Sequence, residues 1–180
     1  MATTLNSLTR DIQGLRQEAE TQIAAAVEHL NVSISALSKI NDRLGDLSVD
    51  AATRATLMDQ RDRLVAEIAE TVDVRVDYRS DGTVALMTRT GVGILDGKVA
   101  TFGFTPAGML TADKLFDADS SKSMVGKLTL TTSSATTIDL VQQNVIQSGR
   151  IGGLIELSDR TLVLAQSQLD EIAAGLAQAM

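Results

Sequence analysis

The sequence predicts an α+β protein in which a bundle of long helices, two N-terminal and one C-terminal, carries an inserted small β-rich domain. Two observations lead to this fold class. Apolar residues recur every three or four positions at both ends of the chain, and between them apolar and polar residues alternate. The chain therefore divides into a discontinuous helical domain, residues 1–73 plus 150–180, and a β-rich domain, residues 74–149.

The first helix is predicted over residues 4–47, because an apolar stripe runs through that segment without a proline. Its mean step of roughly 3.5 residues is typical of a coiled-coil or bundle seam. A helix about 60 Å long, at 1.5 Å per residue, cannot bury such a stripe alone and needs partner helices. The stripe consists of Leu5, Leu8, Ile12, Leu15, Ala19, Ile23, Ala26, Leu30, Ile34, Leu37, Ile40, Leu44 and Leu47.

The partners of this helix are predicted over residues 51–72 and 154–180, where the helical period returns. Asp50 has the side chain of an N-cap for the second helix. The link before it is short, which favours an antiparallel pair. A glycine-rich segment, residues 149–153, precedes the third helix and is expected to be a turn between the two domains.

The β-rich domain begins where the period changes to two, at residues 72–78. Asp81-Gly82 is a strong hairpin signal, and the return strand is expected over residues 83–88. Further short strands are predicted around Ile94 and at two later segments, residues 99–104 and 127–132. Residues 138–146 fit a strand or a helical turn equally well.

The composition excludes several classes of function. The formal net charge is −7 and no cluster of basic residues occurs, so neither nucleic acid nor an anionic membrane surface is an expected partner. Cysteine is absent, which removes disulfide and thiolate chemistry. No apolar run reaches the 18 residues of a membrane span, and no cleavable signal peptide opens the chain.

The sequence also offers no catalytic, cofactor-binding or metal-binding constellation, and we expect no enzymatic activity. His29 is the single histidine, and no second histidine or cysteine could complete a metal site or a nucleophile–base pair with it. Asp113, Asp117 and Asp119 do not have the spacing of a calcium-binding loop and fit a solvated acidic loop. Long helices with excess apolar length are instead typical of an assembly or scaffolding protein.

Two sequence blocks carry a family resemblance. The first is DQRDRLVAEI, residues 59–68, followed shortly by Val-Asp-Val; the second is GRIGGLIELSDRTL, residues 149–162, followed by QSQLDEIA. In this order, with a β-rich interval between them, they resemble the FlgK-type family of flagellar hook-associated proteins. The resemblance covers most of the chain and is weakest in the β-rich domain.

This resemblance implies a structural protein of the bacterial flagellum that forms the junction between hook and filament, without catalysis or cofactor. It implies an extracellular location, reached through the flagellar type III export system without a cleaved signal. Other copies in a ring, the hook protein and the adjoining junction protein are the implied partners. The family's terminal segments, which also hold the export-chaperone site, are missing here, so we expect a truncated core that does not assemble by itself.

The resemblance assigns structural roles to the residues of its two motifs. The charged residues of the first block are expected to form a salt-bridge and capping network that fixes the second helix; they are Asp59, Arg61, Asp62 and Arg63. A Gly-Gly turn at Gly152 and Gly153 is expected where the chain re-enters the helical domain. Glu156 and Asp159 belong to the same motif and are expected to be structural.

Two alternatives remain open. An extracellular adhesin could use the β-rich domain as a binding module, although one Tyr and no Trp make a poor platform for a sugar. Another flagellar axial protein, either hook-associated protein 3 or the core of a flagellin, would have a similar layout. The two motif blocks favour the FlgK type over these.

Overall fold

The computed structural model describes residues 2–178 and has a mixed α+β fold. Two helices come first, six short strands follow, and a C-terminal helical segment closes the chain. The elements are α1 (Ala2–Leu44), α2 (Ala51–Thr71), β1 (Val74–Tyr78), β2 (Val84–Thr88), β3 (Gly93–Leu95), β4 (Thr101–Thr105), β5 (Lys127–Thr131), β6 (Thr137–Asp139), α3 (Gly149–Glu156), a π turn (Leu157–Thr161) and α4 (Leu162–Gln178).

Helix α1 ends at Leu44, three residues before the predicted end. The amide of Gly45 still donates to the carbonyl of Asn41, and Asp46 then accepts bonds from the amide and hydroxyl of Ser48. Such a side-chain turn competes with continued helix. Leu47, the last member of the predicted stripe, is consequently 91% exposed and takes no part in the core.

Helix α2 confirms the predicted cap and packs antiparallel to α1. Two amides of its first turn, those of Ala52 and Thr53, donate to the Asp50 carboxylate at 3.0 Å. Arg54 at the start of α2 donates to the carbonyl of Leu44 at 2.9 Å, which brings the start of α2 to the end of α1. The predicted end at Val72 is one residue late, because Val72 is the C-cap.

The β-rich region forms two three-stranded antiparallel sheets, ordered β1-β2-β3 and β4-β5-β6. The predicted Asp81-Gly82 hairpin is present: Gly82 has φ +86°, which a glycine adopts without steric cost, and Tyr78 pairs with Val84 across it. Of residues 138–146, which fitted two interpretations, the first two belong to β6, residues 140–144 form turns, and residues 145–146 are irregular.

The C-terminal helix begins at Gly149, five residues earlier than predicted. Gly152 and Gly153 therefore lie inside α3, and the predicted Gly-Gly turn is wrong. The turn residue is Gly149, with φ +78°. A β-carbon at Gly149 would approach the carbonyl oxygen of Thr71 to 2.9 Å, so glycine allows the end of α2 and the start of α3 to touch.

One apolar core runs between the helices and both sheets. It includes the α1 side chains Ile23, Leu30 and Ile34 and residues of every strand except β1 and β6, while Val74, Val76 and Ile138 pack against it. The first turns of α1 lie outside this core, and Leu8 and Leu15 are exposed there. The division into domains at residues 73/74 and 149/150 stays a prediction.

Candidate functional site

The first sequence motif contributes one buried anchor, Arg61, which is 7% exposed on α2. Its Nη1 donates to the carbonyl of Gly82 at 2.5 Å, and its guanidinium lies 5.0 Å from the centre of the Tyr78 ring. Its Nε and Nη2 bind the Asp62 carboxylate at 2.9 and 2.8 Å. Arg61 thus ties the β1–β2 hairpin to α2 with charge-assisted bonds.

The other charged residues of this motif are exposed. Asp62 forms the ion pair with Arg61, but Asp59 and Arg63 form no ion pair within residues 2–178. The salt-bridge network expected from the sequence is therefore reduced to one pair, and the cap of α2 comes from Asp50 instead. A structural role for Asp59 and Arg63 stays a prediction.

The second motif forms α3 and the π turn. A β-carbon at Gly152 would lie 3.3 Å from the backbone of Gln147, whereas Gly153 faces open space. Glu156 pairs with Arg160 on the surface at 3.3 Å. A cavity of about 600 Å³ lies between α3 and the segment that follows β6. Its lining includes Gly152, Gly153, Glu156, Asp159 and Arg160.

Asp159 belongs to this motif, and its carboxyl has a raised pKa. Burial raises the pKa of its carboxyl to about 6, while the neighbouring Ser158 hydroxyl and the Arg16 guanidinium act to lower it. The Ser158 hydroxyl beside it is buried and has no hydrogen-bond partner among residues 2–178. The π turn therefore contains a partly buried carboxyl and an unpaired buried hydroxyl.

Sequence reasoning missed a second set of anchors on α1, where charged residues occupy the buried stripe. Arg16 is 1% exposed and donates to the carbonyls of Ser158, Thr111 and Lys114 at 3.0, 3.3 and 2.7 Å. Glu20 accepts the amides of Ala107 at 3.0 Å and Gly126 at 2.8 Å. Together they hold the long segment between β4 and β5 against α1.

A side chain larger than that of glycine at position 126 of this segment would displace two side chains. A β-carbon there would meet the Phe104 ring at 2.5 Å and the Glu20 carboxylate at 2.7 Å. The close approach allows the Gly126 amide to reach Glu20. The signal that could have identified Arg16 and Glu20 is their position, since both lie within the buried face that Ala19 and Ile23 define.

Two asparagines of α1 attach the sheets to the helix. Each side-chain amide makes two hydrogen bonds to the backbone of one strand residue, as a neighbouring strand would. The Asn31 side chain accepts from the Phe102 amide at 2.9 Å and donates to its carbonyl at 2.8 Å. Asn41 does the same with Val84, at 3.0 and 2.7 Å. Each sheet is thereby attached to the same helix, and one unpaired backbone position in β4 and one in β2 are satisfied.

The remaining polar surface provides little chemistry. His29 lies 3.3 Å from Glu67, and both side chains are substantially exposed. Across the part of the chain that the structure describes, no three potential metal-ligating side chains cluster. Within residues 2–178, none of the helices combines the length and apolar character needed to cross a bilayer. The geometry is that of a set of anchors which hold two sheets on a helical frame.

Comparison with known proteins matches the whole chain to one family. The family model described as "Flagellar hook-associated protein FlgK helical domain" matches residues 1–180. Flagellar hook-associated protein 1 of Escherichia coli is 24% identical over 166 residues, 91% of this chain. The Bacillus subtilis protein of the same name is 24% identical over 106 residues, 57% of this chain.

A solved structure shares the fold. The flagellar hook junction protein FlgK from Burkholderia pseudomallei superposes with a TM-score of 0.68 over 93% of this chain, at 21% identity. This chain covers 28% of that structure, 28% of the Escherichia coli relative and 21% of the Bacillus subtilis relative. It therefore corresponds to about a quarter of the length of these proteins.

Proposed function

Since the chain belongs to the family of the FlgK helical domain of flagellar hook-associated proteins, we propose that it is a structural part of the junction between hook and filament of a bacterial flagellum. The observation that carries this proposal is the family match over residues 1–180, supported by the shared fold. The chemistry of the chain is consistent with a building block, because the buried Arg16, Glu20 and Arg61 bind backbone groups of distant segments.

The distribution of the anchors is consistent with the domain arrangement predicted from the sequence. We propose that α1, α2 and the α3–α4 segment form a helical bundle, residues 1–73 plus 150–180, which lies nearer the axis of the flagellum. The sheets, residues 74–149, point outward. Asn31, Asn41 and Arg61 support this arrangement, since they attach both sheets to the two N-terminal helices. The continuous core keeps the two parts in a fixed orientation.

The proposed role defines the partners and the location. Other copies of the protein in a ring, the hook protein and the adjoining junction protein are the expected contacts, and the flagellum places them outside the cell. Export through the flagellar type III system, with a chaperone bound to other segments of the full protein, belongs to the same proposal. An anchor role without catalysis is proposed for Arg61 with its partner Asp62, and for Gly152. A structural role, but not that of an anchor of this fold, is proposed for Asp59, Arg63, Gly153, Glu156 and Asp159.

Removing the coding segment for this chain in a bacterium that encodes it tests the proposal. We expect hooks without filaments in electron micrographs, flagellin shed into the medium, and recovery of both defects when the intact gene is returned. A strain that keeps full-length filaments and normal swimming, but loses attachment to a surface or host protein, would instead identify an adhesin.

A further inference from the structure

The C-terminal helical segment has one extra residue inserted between its two α-helices, α3 and α4. The amide of Leu162 bonds to the carbonyl of Leu157, five residues back, and residues 157–161 form a π turn between α3 and α4. Such insertions are frequent at functional positions in helices. Each residue of α4 consequently occupies the place that the preceding residue would take in an uninterrupted α-helix.

The π turn is held from outside by α1. Nε of Arg16 donates to the Ser158 carbonyl at 3.0 Å, while its two terminal nitrogens bind Gln13, Thr111 and Lys114. The guanidinium therefore connects the turn to a helix and to a loop at once. Because Arg16 is fully buried, water does not compete for the Ser158 carbonyl.

The turn itself is imperfectly satisfied and has room beside it. The hydroxyl of Ser158 is buried and has no hydrogen-bond partner among residues 2–178. Asp159 and Arg160 face the cavity of about 600 Å³ that Gly152 and Gly153 help to line. Side chains of the turn can therefore change position without displacing the core.

We propose that the π turn is a two-state joint, in which α4 can advance by one residue relative to α3. In the second state, residues 157–161 become regular α-helix, and Arg16 releases the Ser158 carbonyl. Helix α4 then turns by about 100° and moves by about 1.5 Å along its axis. The joint is a property of this chain alone and does not depend on a place in the flagellum.

The two states differ in the side chains that α4 turns toward α1. In the observed state these are the buried Leu162 and Gln166 and the half-buried Leu169, Ala173 and Leu176. After the advance, the residue before each of them takes its place, namely Thr161, Ala165, Gln168, Ile172 and Gly175. The side chains that face α1 in the observed state are the more apolar set. Because contact with α1 favours apolar side chains, we expect the observed state to be the major one.

The advance exchanges specific contacts. Gln166 leaves its hydrogen bonds with Gln13 and Thr9, at 3.2 and 3.3 Å, and Ala165 takes its position. Ile172, now 56% exposed, turns toward α1. The joint therefore sets which face of α4 is available to a neighbouring molecule.

Cysteine cross-linking reads the register directly, because the natural chain has no cysteine. The pair Gln13→Cys with Gln166→Cys reports the observed state, and Gln13→Cys with Ala165→Cys reports the advanced state. Oxidised glutathione supplies the oxidant, and the rate of disulfide formation is followed on non-reducing gels. We expect the second pair to close about 10- to 1,000-fold more slowly, as for a minor state populated at about 0.1–10%.

Two further variants decide between a joint and simple fraying of α4. Deleting Thr161, an exposed residue of the π turn, removes the extra residue and leaves Gln166 facing Gln13. The 13/166 disulfide then forms as before, and the 13/165 disulfide no longer forms. Replacing Arg16 by Lys raises the 13/165 rate about tenfold, because the bond to Ser158 is lost.

The deletion variant keeps the proposal falsifiable even if Arg16→Lys fails to fold. A 13/165 rate that is equal in the deletion variant and in the full-length chain would overturn the joint and identify fraying. A 13/165 rate equal to the 13/166 rate in the full-length chain would also overturn it, since α4 would then have no defined register.

Discussion

Replacing Asp159 by Asn is predicted to stabilise the protein at neutral pH and to have little effect in acid. Burial raises the pKa of the Asp159 carboxyl from its ordinary 3.8 to about 6 in the folded chain. At pH 7 the folded protein therefore holds an ionised group that the unfolded chain solvates better, at a cost of about 3 kcal/mol. Asparagine keeps the shape of the side chain and removes this cost.

The sign of the effect follows from proton binding. Between pH 4 and pH 6 the folded state binds more protons than the unfolded state, so the natural protein loses stability as the pH rises through this range. The variant lacks this loss. Its advantage is expected to be about 2–3 kcal/mol at pH 7, to shrink below pH 6 and to vanish near pH 4.

Urea unfolding followed by circular dichroism, repeated from pH 4 to pH 8, measures the difference. Asp59→Asn is the matched control, because Asp59 is exposed on α2 and forms no ion pair within residues 2–178; its effect is expected to stay within about 0.5 kcal/mol. A variant no more stable than the natural protein at pH 7, or an advantage that persists unchanged at pH 4, would contradict a raised pKa of Asp159.

Three other substitutions test the anchors by the same unfolding assay. Asn31→Ala is expected to lose about 2–3 kcal/mol, because the amide and carbonyl of Phe102 are left unpaired; a loss below about 0.5 kcal/mol would show that water replaces the asparagine. Gly149→Ala is expected to lower the free energy of unfolding by at least about 2 kcal/mol, because of the positive φ and the contact with Thr71. Its control, Gly153→Ala, lies in helix with open space around it and should raise the free energy of unfolding by about 0.5–1 kcal/mol. Equal effects of the two substitutions would contradict the turn assigned to Gly149. Arg61→Met is expected to lower the free energy of unfolding by about 2–3 kcal/mol and to speed amide hydrogen exchange in the β1–β2 hairpin. Arg63→Met, at an exposed position, is the control. Unchanged exchange in Arg61→Met would show that Arg61 does not anchor the hairpin.

Local signals in the sequence were sufficient for the helices and the first hairpin. The start of α2 follows from Asp50, whose carboxylate satisfies two amides that the helix leaves free. The Asp81-Gly82 turn follows from the conformational freedom of glycine. The stripe of α1 correctly indicates a helix, although its first turns are only partly covered, by α4, and Leu8 and Leu15 stay exposed.

The errors arise where tertiary contacts overrule local preference. Two adjacent glycines usually indicate a turn, yet Gly152 and Gly153 are helical, since a small residue at 152 lets α3 pass close to Gln147. Nothing in the sequence marks the π turn, which depends on Arg16 from a distant part of the chain. Asn31 and Asn41 escaped notice for the same reason, because their partners lie on strands 71 and 43 residues away.

The central claim, that this chain is part of the hook–filament junction, is tested most directly by immunogold electron microscopy of intact flagella with antibodies raised against it. The flagella come from a bacterium that encodes the chain, and a strain lacking the coding segment serves as the control. We predict gold in one narrow band where the curved hook meets the filament. Label along the filament would indicate a flagellin, and label on the cell surface away from flagella would contradict the assignment altogether.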